Sequence, residues 1–219
     1  EGVVVRAQAV GEIDDAEAQL GEALNALGRV DRPRLAAEVS VLLAAVLKER
    51  GAIDEADAAL AKACRSFAAL TDLAGLADAL RQRGEIQMAQ GIYTRALAFA
   101  EESARQAELA HRGELQIKAH LLAARAAAAS DDSHHAHNAL ETAFQLLPDG
   151  IATGARGDCM VALADLIEAG ILTSDHQVTA LLADAVQVYA AAGETHDAAR
   201  INRRMEAMLA SSSSPTPLQ

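Results

Sequence analysis

Asp131, Asp132, His134, His135 and His137 are the densest group of potential ligands in the sequence, since imidazole and carboxylate both bind divalent ions. They stand at a turn and in the first turn of a helix, where carboxylates cap free amides and histidines face water. His134 and His137 are three apart and share a helical face, but no third ligand is fixed, so no metal is expected. Gly150, Gly154 and Gly157, around Thr153 and Arg156, suggest a phosphate loop, but that chemistry needs a Lys followed by Ser or Thr at a fixed offset and a preceding strand. Neither is present, and a flexible connector is expected there. Arg156-Gly157-Asp158 matches an adhesion tripeptide, a pattern short enough to recur by chance. No Ser, His and acid set and no isolated carboxylate pair stands out, and His111, His120, His176 and His196 are scattered singly. Neither an enzymatic activity nor a cofactor is therefore expected. Arg200, Arg203 and Arg204 are too few for a nucleic-acid footprint and sit near a helix end, where cations complement the dipole.

The elements that hold these residues follow from composition. The 219 residues are 51% apolar and 23% charged, enough for a sizeable core. About a quarter are alanine, Trp is absent, and there are 2 Tyr, 3 Phe and 4 Pro, which favours closely packed helices and excludes an all-β chain. The net charge of -12 repels a phosphate backbone and an anionic membrane, so neither is an expected partner. Cys64 and Cys159 stand far apart in apolar stretches and read as core residues of a reducing compartment, which places the chain in the cytoplasm. No apolar run approaches the roughly 18 residues of a membrane span, and no basic-then-apolar leader opens the chain. The chain begins at Glu1 without Met and meets Gly11, read as a helix breaker, soon after, which leads us to expect missing sequence upstream.

Shifting the sequence by forty residues superposes Gly11, Gly51 and Gly91, and the next step falls on Asp131. After each comes one helical face: Ile13, Ala16, Leu20 and Leu24; Ile53, Ala56, Leu60 and Cys64; Tyr93, Ala96, Ala100 and Ala104; Ala136, Leu140, Ala143 and Leu147. Acidic or short polar residues open them: Asp14, Asp15 and Glu17; Asp54 and Glu55; Asp131, Asp132 and Ser133. Ahead of each turn lies another helix, over about 33–50, 73–90, 113–130 and 155–169. Each unit is a helical hairpin that buries its apolar face only against its neighbours, the logic of an α-solenoid. A fifth, irregular copy follows Gly170, with a helix over about 175–192 closed by Gly193. A capping helix over about 194–210 comes last. The reading is all-α: an α-solenoid of about five hairpins and a C-terminal capping helix over residues 1–210, with 211–219 a mobile Ser/Pro tail.

Leu43-Ala44, Leu47, Gly51, Ala56, Leu60 and Ala63 resemble the tetratricopeptide repeat family, as do Gly84, Gly91, Ala96 and Ala100, then Ala124, Ala136, Leu140, Ala143 and Pro148, then Tyr189, Gly193 and Ala198. The aromatic expected early in each first helix is missing, and the period exceeds the usual 34. The longer period looks more like repeats in bacterial signal-transduction and transcriptional regulators. The resemblance implies that the first helices line a concave groove. Glu38, Val41, Ala45 and Lys48 would then face a ligand from one hairpin, Arg81, Glu85 and Met88 from the next, followed by Lys118, Leu121 and Arg125, then Arg156 and Met160. Arg81, Lys118, Arg125 and Arg156 would form a positive strip suited to an acidic peptide or a carboxylate terminus. Alternatively, they are solvated or paired within the chain. The expected function is non-enzymatic protein or peptide binding in a larger bacterial regulator; the alternative is a constitutive homo-oligomerisation scaffold, for instance a homodimer.

Overall fold

The computed structural model describes residues 2–148, 153–172 and 177–212, with backbone alone for 2–10, 12, 211 and 212. Among them are ten helices and no strand: α1 (Gly2–Arg29), α2 (Pro33–Arg50), α3 (Ile53–Ala69), α4 (Leu73–Ala89), α5 (Tyr93–Leu109), α6 (Gly113–Ala129), α7 (Ser133–Gln145), α8 (Gly154–Glu168), α9 (Val178–Ala191) and α10 (Thr195–Ser212). The chain divides into two compact units, Glu1–Ala119 and His120–Gln219. Of the expected tail, residues 213–219 lie outside the described residues, and Ser211 and Ser212 complete α10.

Gly11 does not break the chain. It lies inside α1, and Asp14, Asp15 and Glu17 are therefore interior positions and not a helix opening. A single helical glycine costs about 1 kcal/mol relative to alanine, which a helix this long absorbs.

The turns repeat every twentieth residue, at half the period seen in the sequence. Asp31, Gly51, Thr71, Gly91, His111 and Asp131 all take positive φ, between 48° and 84°. At Gly51 the amide donates to the Lys48 carbonyl at 3.0 Å and the amide of Ala52 to that of Leu47 at 2.8 Å. This left-handed cap satisfies carbonyls that the helix end would otherwise leave free. The same pair of bonds closes the turns at Thr71, Gly91, His111, Asp131, Gly170 and Gly193. A residue other than glycine in this conformation costs roughly 1–2 kcal/mol, so Thr71 and His111 hold it because both flanking helices impose it. The following helices are capped where a short polar residue is available: Asp72 Oδ1 accepts from the Gly75 amide and Asp132 Oδ1 from the His135 amide, both at 3.0 Å.

In the first unit α2, α3 and α4 share one core, with Ala44, Ala56, Leu60 and Ala63 wholly buried and Phe99 of α5 packed against it. Alanine at these positions lets helix axes approach closely. Arg83 of α4 forks onto Asp57 of α3, with Nε–Oδ1 at 2.8 Å and Nη2–Oδ2 at 3.0 Å, and lies 4.4 Å from the centre of the Phe99 ring. The Asp57 carboxylate holds the guanidinium pKa above its ordinary value. Ser103 of α5 is buried and donates to the Ala77 carbonyl of α4 at 2.7 Å. In the second unit, Leu181, Leu182, Ala185, Tyr189, Ala198 and Ile201 bury α9 and α10 against Ala164 of α8. Arg204 ties α10 to Asp165 and Glu168 of α8.

Candidate functional site

The helices that start hairpins, α2, α4, α6 and α8, carry every sequence-derived groove residue. On α2, Arg34 meets Glu38 at 3.3 Å and reaches Asp72, ahead of α4, at 3.1 Å. Lys48 meets Glu85 of α4 at 3.7 Å. These last two contacts tie α2 to α4 at both ends. Val41 is half-buried against the α2–α4 core, Ala45 is exposed and Met88 is half-buried.

Arg81 is held by two carboxylates of its own helix, Asp78 at 2.7 Å and Glu85 at 2.5 Å, and its Nε is buried without a hydrogen bond. On α6, Lys118 donates to Glu114 at 2.7 Å, and that bond holds the Glu114 carboxyl below its ordinary pKa. Helical spacing makes both arrangements: i and i+3 or i+4 lie side by side on one face. Arg81 and Lys118, from successive hairpins, line one open cleft of about 440 Å³ together with Asp78, His111, Arg112 and Glu114. Arg112 is exposed, and its charge adds to that of Lys118 in holding the Glu114 carboxyl down. The cleft thus offers three cations against two carboxylates in a chain of net charge -12. Arg81 and Lys118 are bonded to acids, and Arg112 acts on Glu114 through its charge.

Of the residues lining this cleft only Arg81 and Lys118 are sequence-derived candidates; the charged or titratable ones outside that set are Asp78, His111, Arg112 and Glu114. The acids were legible from their helical spacing to Arg81 and Lys118; Arg112 and His111 lie in a turn, outside any search along helical faces.

In the second unit Leu121 is buried, so it adds to packing. Arg125 is exposed and has no partner among the described residues. Arg156 donates to the Pro148 carbonyl at 3.0 Å, and Met160 packs against the core of α8, α9 and α10.

Other chemically suggestive groups fall into structural roles. Gly154 and Gly157 lie in α8, where a flexible connector was expected, and Gly150 is outside the described residues. Gly157 lies under the Tyr189 ring and Asp158 accepts from Tyr189 Oη at 2.5 Å, which absorbs the Arg156-Gly157-Asp158 triplet into packing. Asp132 caps α7, His137 lies 3.8 Å from Glu141, and Asn138 meets His134 at 3.2 Å. Among the described residues no three His, Cys, Asp or Glu side chains are grouped to hold a metal. Cys64 and Cys159 are buried and unpaired; burial raises both thiol pKa values, that of Cys159 to about 12.

Comparison with solved structures agrees with these hairpins. BtubC (BKLC) from P. vanneervenii aligns over 97% of this chain and 80% of its own, with a TM-score of 0.61 and 18% identity. The chain has a tetratricopeptide-like fold. A putative kinesin light chain from P. anserina with nearly identical TPR-like repeats aligns with this tetratricopeptide-like chain over 98%, and over 95% of itself, at TM-score 0.54 and 18% identity. A Rap protein complexed with competence and sporulation factor aligns over 91% of the tetratricopeptide-like chain and 65% of its own length, at TM-score 0.56 and 14% identity. No protein-family model and no curated protein sequence matches the chain. Among the described residues no helix is long and apolar enough to cross a membrane.

Proposed function

We propose that this chain is a non-enzymatic, peptide- or protein-binding repeat region of a larger bacterial signal-transduction or transcriptional regulator, acting in the cytoplasm. In the first unit the ligand lies on the face of α2, α4 and the start of α6, over Glu38, Val41, Lys48, Arg81, Glu85, Met88 and Lys118. The observation that carries this reading is the open cleft where Arg81 and Lys118 of successive hairpins converge beside the exposed Arg112. Arg112 can donate paired hydrogen bonds to a ligand carboxylate, while Arg81 and Lys118, already held by Asp78, Glu85 and Glu114, add positive charge and lose little freedom on binding. Similarity to a Rap protein crystallised with competence and sporulation factor supports the regulatory setting at the level of fold. Ligand preference for one arrangement of the hairpins would shift the population seen by an attached output domain.

Selection of a displayed random-peptide library against the full chain, followed by calorimetry of the selected peptides, tests this. Arg81→Ala with Lys118→Ala should weaken binding about tenfold or more. Unchanged affinity would remove this face from the ligand site. Arg125→Ala tests the second unit's candidate separately.

A further inference from the structure

His111 stands at the edge of the first unit where α1, α3 and α5 end and α2, α4 and α6 begin. It lines the cleft given above to the ligand, and it is the one histidine among the lining residues. Imidazole is the side chain whose charge ordinarily changes between about pH 5 and 8. No other lining residue is of a type that ordinarily titrates there. The turn fixes where the imidazole starts from: His111 takes φ 53°, its amide donates to the Glu108 carbonyl at 2.9 Å, and the Arg112 amide donates to the Ala107 carbonyl at 2.9 Å. The residue is exposed, so it exchanges protons directly with solvent.

The chain's own charges around His111 balance. Asp78 and Arg81 come from α4, Glu108 from the last turn of α5, and Arg112, Glu114 and Lys118 from the turn and α6. Three cations thus meet three carboxylates. The next charges out are paired as well: Glu85 is bonded to Arg81 and lies 3.7 Å from Lys48, Asp72 lies 3.1 Å from Arg34, and Arg105 is bonded to Glu102. A ligand carboxylate entering the cleft makes this sum negative, and an opposite charge nearby favours the protonated imidazole. The coupling is reciprocal: a ligand that draws a proton onto His111 is itself held more tightly, by the same factor, once that proton is there.

We infer that His111 couples occupation of this cleft to proton uptake, so that an anionic peptide binds more tightly as pH falls through the neutral range. The inference rests on the reading of the cleft as the peptide site. Its sign follows from which state holds the proton. The bound chain keeps it to higher pH than the free chain, so the added affinity is complete at low pH and is lost as pH rises and the bound imidazole gives the proton up. The same residue grades ligands by charge, because a peptide whose contacting group is neutral gains nothing from the proton.

Calorimetry on the full chain tests the inference. The probe is the tightest peptide from the library selection that carries Asp or Glu and no His. Its affinity should be about threefold higher near pH 6 than near pH 8, the effect of one unit charge at about 7 Å in largely aqueous surroundings. Titrations in buffers of different ionisation enthalpy should show protons taken up on binding. His111→Asn keeps a residue that tolerates the left-handed turn; it should match the wild type near pH 8 and lack the gain near pH 6. His111→Lys should carry the low-pH affinity up to about pH 8. Circular dichroism should show wild-type helix content in both variants. A flat pH response, a response that persists in His111→Asn, or a selection without acidic peptides would overturn the inference. If binding were still weakened by Arg81→Ala with Lys118→Ala, the first reading would stand without it. Indifference to that pair would take the ligand out of the cleft and overturn both.

Discussion

The two units solve the same packing problem with different chemistry. In the first, Gly75 of α4 receives the Phe67 ring of α3; a Cβ at Gly75 would stand 2.6 Å from Phe67 Cδ1. In the second, Gly157 of α8 receives the Tyr189 ring of α9, and a Cβ would stand 2.7 Å from Tyr189 Cζ. Both rings are nearly inaccessible, at 3% and 1% exposure. Phe67 is held by packing alone, whereas Tyr189 is also pinned by its hydrogen bond to Asp158 at 2.5 Å. An aromatic against a glycine lets two helices approach, and a hydroxyl added to the ring fixes where it sits at the cost of a buried polar group that must stay bonded.

The largest effect should come from adding a methyl group where the ring cannot retreat. Gly157→Ala should destabilise the chain by about 3 kcal/mol, the upper end of overpacking, and Gly75→Ala by about 1–2 kcal/mol because Phe67 is free to tilt. Urea unfolding of the two variants checks the order, and equal losses would show that the hydroxyl anchor does not stiffen the site. Tyr189→Phe should cost about 1 kcal/mol at neutral pH by leaving Asp158 without its donor, and should lessen the damage of Gly157→Ala in the double variant.

The same pair differs in alkali. Burial and the Asp158 carboxylate raise the Tyr189 pKa above its ordinary 10.0, and burial raises Cys159 from 9.0 to about 12. The folded chain then holds protons that the unfolded chain releases, so this stability is complete below about pH 9 and falls as pH rises through 9 to 12. Thermal melts across that range should fall less steeply above pH 10 in Tyr189→Phe, and below it in Cys159→Ala. A slope unchanged in both would show that neither group stays protonated in the fold. The smallest effect is a gain: Thr71→Gly relieves a β-branched residue at φ 52° and should raise stability by about 1 kcal/mol, read as a higher melting temperature.

The repeat was legible because alanines and leucines recur on helical faces and because Gly51 and Gly91 mark alternate turns. Its half-period was hidden, since the intervening turns use Asp31, Thr71 and His111, which signal a left-handed backbone far less strongly than glycine does. Gly11 misled for the opposite reason: in α1 it takes ordinary helical geometry, and an ideal Cβ there would meet nothing within 4 Å. For the candidate site, the choice of helices carried over from sequence, but the state of the charges did not. Arg81 looks like a receptor for an outside carboxylate until Asp78 and Glu85 are seen to occupy its fork, and Arg112 passes unnoticed because it lies on no helical face.

The uniform caps also constrain how such a chain can change length. Because the turns from Gly51 to Asp131 reverse direction through the same two backbone bonds whatever their side chains, gain or loss of forty residues there returns the polypeptide to the edge it left. An insertion or deletion of twenty would deliver everything downstream to the opposite edge, pointing the wrong way. Growth by whole hairpins is thus tolerated by the backbone itself, and half-steps are filtered out before any side chain is consulted.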